Sequence, residues 1–554
     1  MDCATATSNG MNKYFFRKDN PLLPLASALI AGLAFHVSGG WLLMLVAFTP
    51  FFIFLQHSSR SLKKTFFISC AAGTVFYAIA LKLLFAAYPL DWAGIYGTAE
   101  GLLAFGTLWS LMMLTQGLAW GVFAVIISFI VRKKGSTYLV LLCGIPSLWV
   151  LMEYGQAFFF SVAVFSPGHS LIGPHWTWGN IAYAMVDGPG ATIASVGGMY
   201  LLDYIMILTN VLVLLLFRYT PRISMGKRIL LSMGGAVVFF TIVGLLADRA
   251  YLALWSHSAS NALSLHIVGL QTDVLQSDIN SQLSWEQEYQ SLRNKLLSIE
   301  EKIDMLAIPE GALLETFLFK DTILQEKIHS DDTLILGYRY INEREGTVGE
   351  TTYRRFNEGI IGFQKKEMIV PSGEYLPWVA KQVFILSGNN AIISAYDRLT
   401  LQGERKQAVV TDRIGTISAI SCSEAMSPVF SRQAGKAGAD FLVLQASDSI
   451  FKGDKAYLRL MLRFARMRAI EAGKPIVRVS NGGFSAVIDM FGNVNSFLPK
   501  GTGVLSADVG SVKGISLYAR FGDWPVFLSM LAVFVLIFRR ASPISSVDKK
   551  DYSR

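Results

Sequence analysis

Apolar residues fall along this chain in two regimes: near-continuous runs from residue 21 to about 247, then short bursts between polar and amphipathic stretches from about 263 to 515. A helix that crosses a bilayer needs about 20 mostly apolar residues. Windows of that kind lie near 21–38, 41–56, 65–86, 107–131, 139–158, 197–217 and 228–247, with an eighth near 521–538; the second and eighth are short. The polar regime alternates strands and helices as an α/β unit does. Leu263–Leu270 reads as a strand, Glu286–Ile303 as a helix, and Met305–Ile308 as a strand running into Pro309-Glu310-Gly311. Strand Ile417–Ser421 ends at Cys422, and strand Phe441–Leu444 ends before Ala446-Ser447-Asp448. Helix Ala456–Ala472, strand Ile476–Val479, the turn Asn481-Gly482-Gly483 and a hairpin from Ala486 through Asp489, Gly492 and Asn493 complete the pattern. The chain thus divides into a helical membrane part over 1–250, an α/β part over 260–515, and a last span with its tail over 516–554.

Composition agrees with a membrane protein that carries a polar part: of 554 residues 52% are hydrophobic and 16% charged, more apolar content than one soluble domain needs. Lys13, Arg17 and Lys18 precede the first window, which lacks a small-residue cleavage site and reads as a retained anchor. Basic residues then mark alternate connections. Arg60, Lys63 and Lys64 follow the second window, Arg132, Lys133 and Lys134 the fourth, Arg218, Arg222, Lys227 and Arg228 the sixth, and Arg539 and Arg540 the eighth. By the positive-inside rule both termini are expected in the cytoplasm and the segment from about 248 to 520 outside it. These loops account for most of the net charge of +9, so nothing calls for nucleic-acid binding.

Of the four cysteines, Cys3 lies near the amino terminus and Cys70 and Cys143 fall in apolar windows, leaving Cys422 without a partner in the α/β part. An unpaired thiol on the oxidising side of a membrane is either buried and inert or chemically employed. Glu310 and Lys366 lie in the same polar stretch, and strand ends of an α/β sheet are where sites are commonly built, although they are also where ordinary turns begin. The seven histidines fall in no ligand spacing, so no metal is expected. Glu153, a rare carboxylate among apolar residues, reads as exposed at the rim of a span, and Ser166 to Trp178, with His169, His175 and Trp176, as an outer interfacial loop.

The ordered motifs resemble the nitrilase (carbon-nitrogen hydrolase) superfamily, and within it the membrane-embedded apolipoprotein N-acyltransferase branch. Ile308-Pro309-Glu310-Gly311 resembles the segment carrying the catalytic acid, and Lys366, five residues before Pro371 in a stretch continuing to Gly373-Glu374-Tyr375, the catalytic lysine. Ser421-Cys422-Ser423-Glu424 is similar to the nucleophile segment. Ala465 to Glu471, Arg478-x-x-Asn481 and Tyr518-x-Arg520-x-Gly522-Asp523-Trp524 resemble the following helix, strand and entry to the last span. Ser423 and Ser372 stand where aromatics are usual, Ser447 replaces an Asn, and Gln364 a Tyr.

The resemblance implies a polytopic α-helical membrane protein of about eight spans with an inserted α/β nitrilase-like domain, an αββα sandwich. It implies a bacterial inner-membrane enzyme working on the extracytoplasmic side without a cofactor. An acyl chain would pass from a phospholipid donor, through a thioester on Cys422, to a diacylglyceryl-apolipoprotein acceptor at the bilayer. Glu310 would be general base and acid, and Lys366 the stabiliser of thiolate and oxyanion, with Glu374 and Glu424 supporting. Phe363, Tyr375 and Trp378, with Ile450-Phe451, are candidates for apolar loops that hold substrate and keep water out. A membrane-anchored amidase with the same triad, or a non-catalytic lipoprotein-binding relative, remains the alternative.

Overall fold

The computed structural model describes residues 20–538 apart from 57–59, 94, 220–222, 256–263, 329–332, 344–345, 400, 402 and 404–408. Cys3, Lys13, Arg17, Lys18, Arg222, Arg539 and Arg540 lie outside the described residues.

Among the described residues five helices are long and apolar enough to cross a membrane: Leu62–Ala80, Thr98–Lys134, Val140–Ala163, Ala191–Tyr219 and Gly226–Ala253. The other three windows hold the shorter apolar helices Leu22–Ala34, Gly40–Leu55 and Trp524–Phe538, so length alone does not confirm eight spans. The second of these shows why. Its run divides into Gly40–Ala47 and Thr49–Leu55, with Pro50 in the first turn of the latter. Asn210 of a neighbouring helix fills the break, accepting from the Phe48 amide at 2.9 Å and donating to the Met44 carbonyl at 2.9 Å. Irregular backbone buried among apolar helices persists only where protein groups satisfy it. Glu153, expected at a rim, is instead buried and accepts from Asn180 Nδ2.

The α/β part is a four-layer sandwich. Its first sheet is built from β1 (Ser264–Gln271), β2 (Met305–Ala307), β3 (Leu334–Glu343), β4 (Gly346–Arg355), β5 (Gly359–Lys365) and β12 (Gly503–Gly510), in the order β12-β1-β2-β3-β4-β5. The second contains β6 (Val410–Asp412), β7 (Gly415–Ser421), β8 (Phe441–Ser447), β9 (Ile476–Asn481), β10 (Ser485–Ile488) and β11 (Val494–Leu498), in the order β11-β10-β9-β8-β7-β6. The strands at the centre of each sheet, β1-β2-β3 and β7-β8-β9, are parallel, and sheets of that kind are covered on both faces. Alternate residues fill the space between the sheets: Ile267, Met305 and Leu336 from one meet Ala419, Val443 and Val479 from the other.

The outer face of the first sheet is covered by helix Gln282–Leu297 through Trp285, Tyr289, Leu292 and Leu296. That helix starts four residues before the expected Glu286 because the Ser281 side chain accepts from the Ser284 amide and caps it. The second sheet is covered differently. Its helices Pro428–Lys436 and Lys455–Ala472 bury their apolar faces in one continuous core with the membrane helices. Arg463 fixes this docking, donating to Asp187 Oδ2 at 2.7 Å and to the Phe35 carbonyl at 2.9 Å, while Arg466 donates to Asp187 Oδ1 at 2.5 Å.

Two buried glutamines hold the sheets in register below their strand ends. Gln445 of β8 donates to the carbonyls of Ile308 at 2.7 Å and Gly337 at 3.1 Å, and accepts from Thr351 at 2.6 Å. Gln364 of β5 accepts from the Ala419 amide of β7 at 2.7 Å and from the Tyr353 hydroxyl. The polar group at 364 is therefore a bond between the sheets.

Candidate active site

Each sheet delivers part of one cluster. Glu310 follows β2, on a loop turned by Gly311, whose φ of +71° favours glycine. Lys366 follows β5 directly. Both are buried, 3% and 1% exposed, and the Lys366 ammonium donates to Glu310 Oε1 at 2.8 Å and Glu374 Oε1 at 2.7 Å. Glu374 Oε2 in turn accepts from the Val370 amide at 2.8 Å, which fixes the carboxylate against the lysine.

Cys422 comes from the second sheet, immediately after β7, with φ of +27°. A non-glycine residue there is strained, and such strain gathers at functional sites. The turn is secured by Glu424, which accepts from the Ser421 amide and from the Glu367 amide, both at 2.9 Å. Glu424 thus ties the loop after the thiol to the residue after the lysine. Ser423 points away from any aromatic role, its hydroxyl donating to the Met368 carbonyl. On the far side Cys422 Sγ lies 4.0 Å from the Ser447 carbonyl. Asp448 anchors that loop by accepting from Arg478 Nη2 and Ser480 Oγ, both at 2.6 Å.

Glu310, Lys366, Glu374 and Cys422 open on one cavity of about 570 Å³. Ile450, Phe451 and Tyr457 line it from the α/β part, and Phe105, Leu108, Trp109, Met112 and Phe160 from the membrane helices. Trp176 and Trp178, expected in an interfacial loop, are buried and also line it.

The electrostatics suit proton transfer rather than a standing thiolate. Burial pushes the Cys422 thiol well up, and the Glu310 carboxylate adds to this while Lys366 opposes it. Burial also raises Glu310, against the pull of Lys366. For Lys366, burial disfavours the ammonium, yet Glu310 and Glu374 outweigh it and hold the group charged. The thiol is therefore protonated at rest, beside a carboxylate raised towards it.

The expected substrate aromatics are elsewhere. Phe363 and Trp378 are about half exposed, at 50% and 53%, and neither they nor Tyr375 lines the cavity. Tyr375 is fully buried and acts as a strut: its hydroxyl donates to the Val164 carbonyl at 2.9 Å, pinning the Glu374 loop to the end of a membrane helix. The Trp378 amide donates to Phe165 at 2.9 Å beside it. Tyr375→Phe is expected to cost about 1–3 kcal/mol, since it strands a buried carbonyl, and thermal unfolding of the full chain measures it. The lining residues of the helix Thr98–Lys134 were not readable beforehand. They recur at helical spacing, but every face of that helix is apolar, which hides the period.

Known proteins are similar to this chain in both halves. Residues 27–212 match the model of the apolipoprotein N-acyltransferase N-terminal domain, and residues 246–514 the carbon-nitrogen hydrolase model. An apolipoprotein N-acyltransferase of Geobacter metallireducens is 25% identical over 552 residues, covering 94% of this chain and 96% of that protein. One of Azotobacter vinelandii is 28% identical over 412 residues, covering 70% of this chain and 71% of its own length. Among solved structures, an amidase from Nesterenkonia sp. aligns with 48% of this chain and 96% of its own at 14% identity and a TM-score of 0.32.

Proposed function

Since the chain belongs to the apolipoprotein N-acyltransferase family, we propose that it moves a fatty acyl chain from a phospholipid, by way of Cys422, to the amino-terminal amine of a diacylglyceryl-cysteine lipoprotein. The observation that carries this reading is the shared cavity: carboxylate, ammonium and thiol meet in a space whose other wall is made by membrane helices. An amidase of soluble substrates has no use for such a wall.

Glu310 takes the Cys422 proton as sulfur attacks the ester carbonyl, and the Lys366 ammonium stabilises the oxyanion. When the intermediate collapses, the carbon–oxygen bond to the glycerol breaks, and Glu310 returns the proton to the leaving alkoxide, which departs as lysophospholipid. The thioester then waits. An uncharged amine of the second substrate attacks it, Glu310 removes the amine proton, and collapse breaks the carbon–sulfur bond to give the amide and a thiolate that recovers the proton. Water must be absent during the wait, and the apolar lining of Phe105, Leu108, Trp109, Ile450 and Phe451 serves that end. The chain works in the bacterial inner membrane with the α/β part outside the cytoplasm, where its lipid and lipoprotein substrates meet.

Incubation of the purified full chain with phospholipid alone is expected to yield a hydroxylamine-sensitive acyl adduct on the Cys422 peptide, read by mass spectrometry. Added diacylglyceryl lipopeptide should discharge it as amide. Active protein that never carries the adduct would overturn the two-step reading.

A further inference from the structure

The Glu310 carboxylate is held through Oε1 by Lys366, yet the reaction asks that ammonium to turn towards an oxyanion. A second holder stands beside it. On β3, Leu334, Leu336 and Tyr338 share the face directed between the sheets, by the two-residue period of a strand. The parallel pairing of Ala307 with Leu336, continued by the Ile308 amide donating to the Leu336 carbonyl at 2.9 Å, brings Pro309-Glu310 level with Tyr338.

Tyr338 is only 2% exposed, and its hydroxyl, which completes no full hydrogen bond among the described residues, is close enough to Glu310 to pull that carboxyl down. Burying a hydroxyl without a full partner is costly, so the position demands a reason. The strand opposite makes room for it. A Cβ on Gly349 would lie 2.1 Å from the Tyr338 hydroxyl oxygen, and the Gly349 carbonyl accepts from the Lys366 amide at 2.7 Å. The hydroxyl therefore sits between the strand that carries Glu310 and the backbone that carries Lys366. Burial, and next the Glu310 charge, keep it protonated and able to donate throughout the neutral range.

We propose that Tyr338 is a positioning residue, donating its hydroxyl hydrogen to the Glu310 carboxylate while Lys366 serves the reacting carbonyl oxygen. Hydrogen bonds of this kind are commonly loose in an empty site and tighten when substrate is bound. Gly349 is the complementary half of the device, since no larger residue leaves the hydroxyl its place. The inference rests on Glu310 acting as the base, and the two can fail separately.

Thioester formation on Cys422 from a phospholipid of defined chains, followed against pH in the full-length protein, is the test. Tyr338→Phe is expected to slow the maximal rate about tenfold with little change in KM. The acid limb of the profile should move to higher pH, because loss of a donor to the ionised form raises the Glu310 carboxyl. A purely structural role would lower the melting temperature and leave that limb in place, and this outcome, like an unchanged rate, overturns the proposal. Gly349→Ala should reproduce the limb shift by displacing the ring, and Tyr338→Phe/Gly349→Ala should be no worse than Tyr338→Phe; strictly additive losses would also overturn it. Full thioester formation by Glu310→Gln would instead remove the reading of Glu310 as base.

Discussion

Lys366→Met is expected to slow acyl transfer at least about a hundredfold, because the proposed oxyanion donor is lost, and to destabilise the fold by about 3–5 kcal/mol, because a buried ion pair loses one partner. The second effect follows from the ammonium's two bonds: without it Glu310 and Glu374 share a site with no positive charge between them. Burial already raises Glu310, against the pull of Lys366, and removal of Lys366 raises it further. A carboxyl whose pKa is higher folded than unfolded favours the folded state most at low pH and loses that contribution as pH rises through the folded value. The melting temperature of the variant, relative to the parent, should therefore recover as the pH is lowered from neutrality. Lys366→Met/Glu310→Gln should regain part of the stability and none of the rate. Equal melting of the variant and the parent would mean that the pair is not sealed from water.

Gln445→Leu is expected to cost about 3 kcal/mol, from three buried hydrogen bonds at about 1 kcal/mol each, and to slow thioester formation about a hundredfold although the residue touches no substrate. Glu310 and Lys366 belong to one sheet and Cys422 to the other, so their geometry depends on how the sheets are clamped. Gln445 pairs with Ser421, next to the thiol, and donates to the carbonyl of Ile308, two residues before the carboxylate. A shift near 1 Å between reacting groups costs about a hundredfold. Chemical denaturation gives the stability, and single-turnover adduct formation the rate. A slow but fully stable variant would favour a local role in the cavity over the clamp.

The chemistry-bearing loops were legible because each follows an apolar burst: Met305–Ala307 leads to Glu310, and Gly415–Ser421 to Cys422. The stretch from 334 to 365 was not, and its three strands went unread. Its strands bury polar side chains, among them Glu350, Thr351, Thr352, Arg355 and Gln364, so no alternation of apolar and polar survives in the sequence. Their partners, such as Asp412 for Arg355 and Ala419 for Gln364, come from distant strands. The same holds for Tyr338 and Gly349, which make sense only as a pair across two strands. Phe363 and Trp378 are half exposed outside the cavity, and aromatic character alone does not say which side of a strand or helix faces it.

The docking of helix Lys455–Ala472 onto the membrane helices bears on biogenesis. During synthesis the segments holding Phe35 and Asp187 leave the ribosome long before Arg463. Part of the later unit's apolar covering is thus laid down before the unit itself exists, and that unit completes its folding against a template rather than in free water. Expressed without those helices, it would present the bare face of Leu460, Met461 and Phe464 to solvent and aggregate. The membrane helices are, in this sense, a built-in chaperone that never leaves its client.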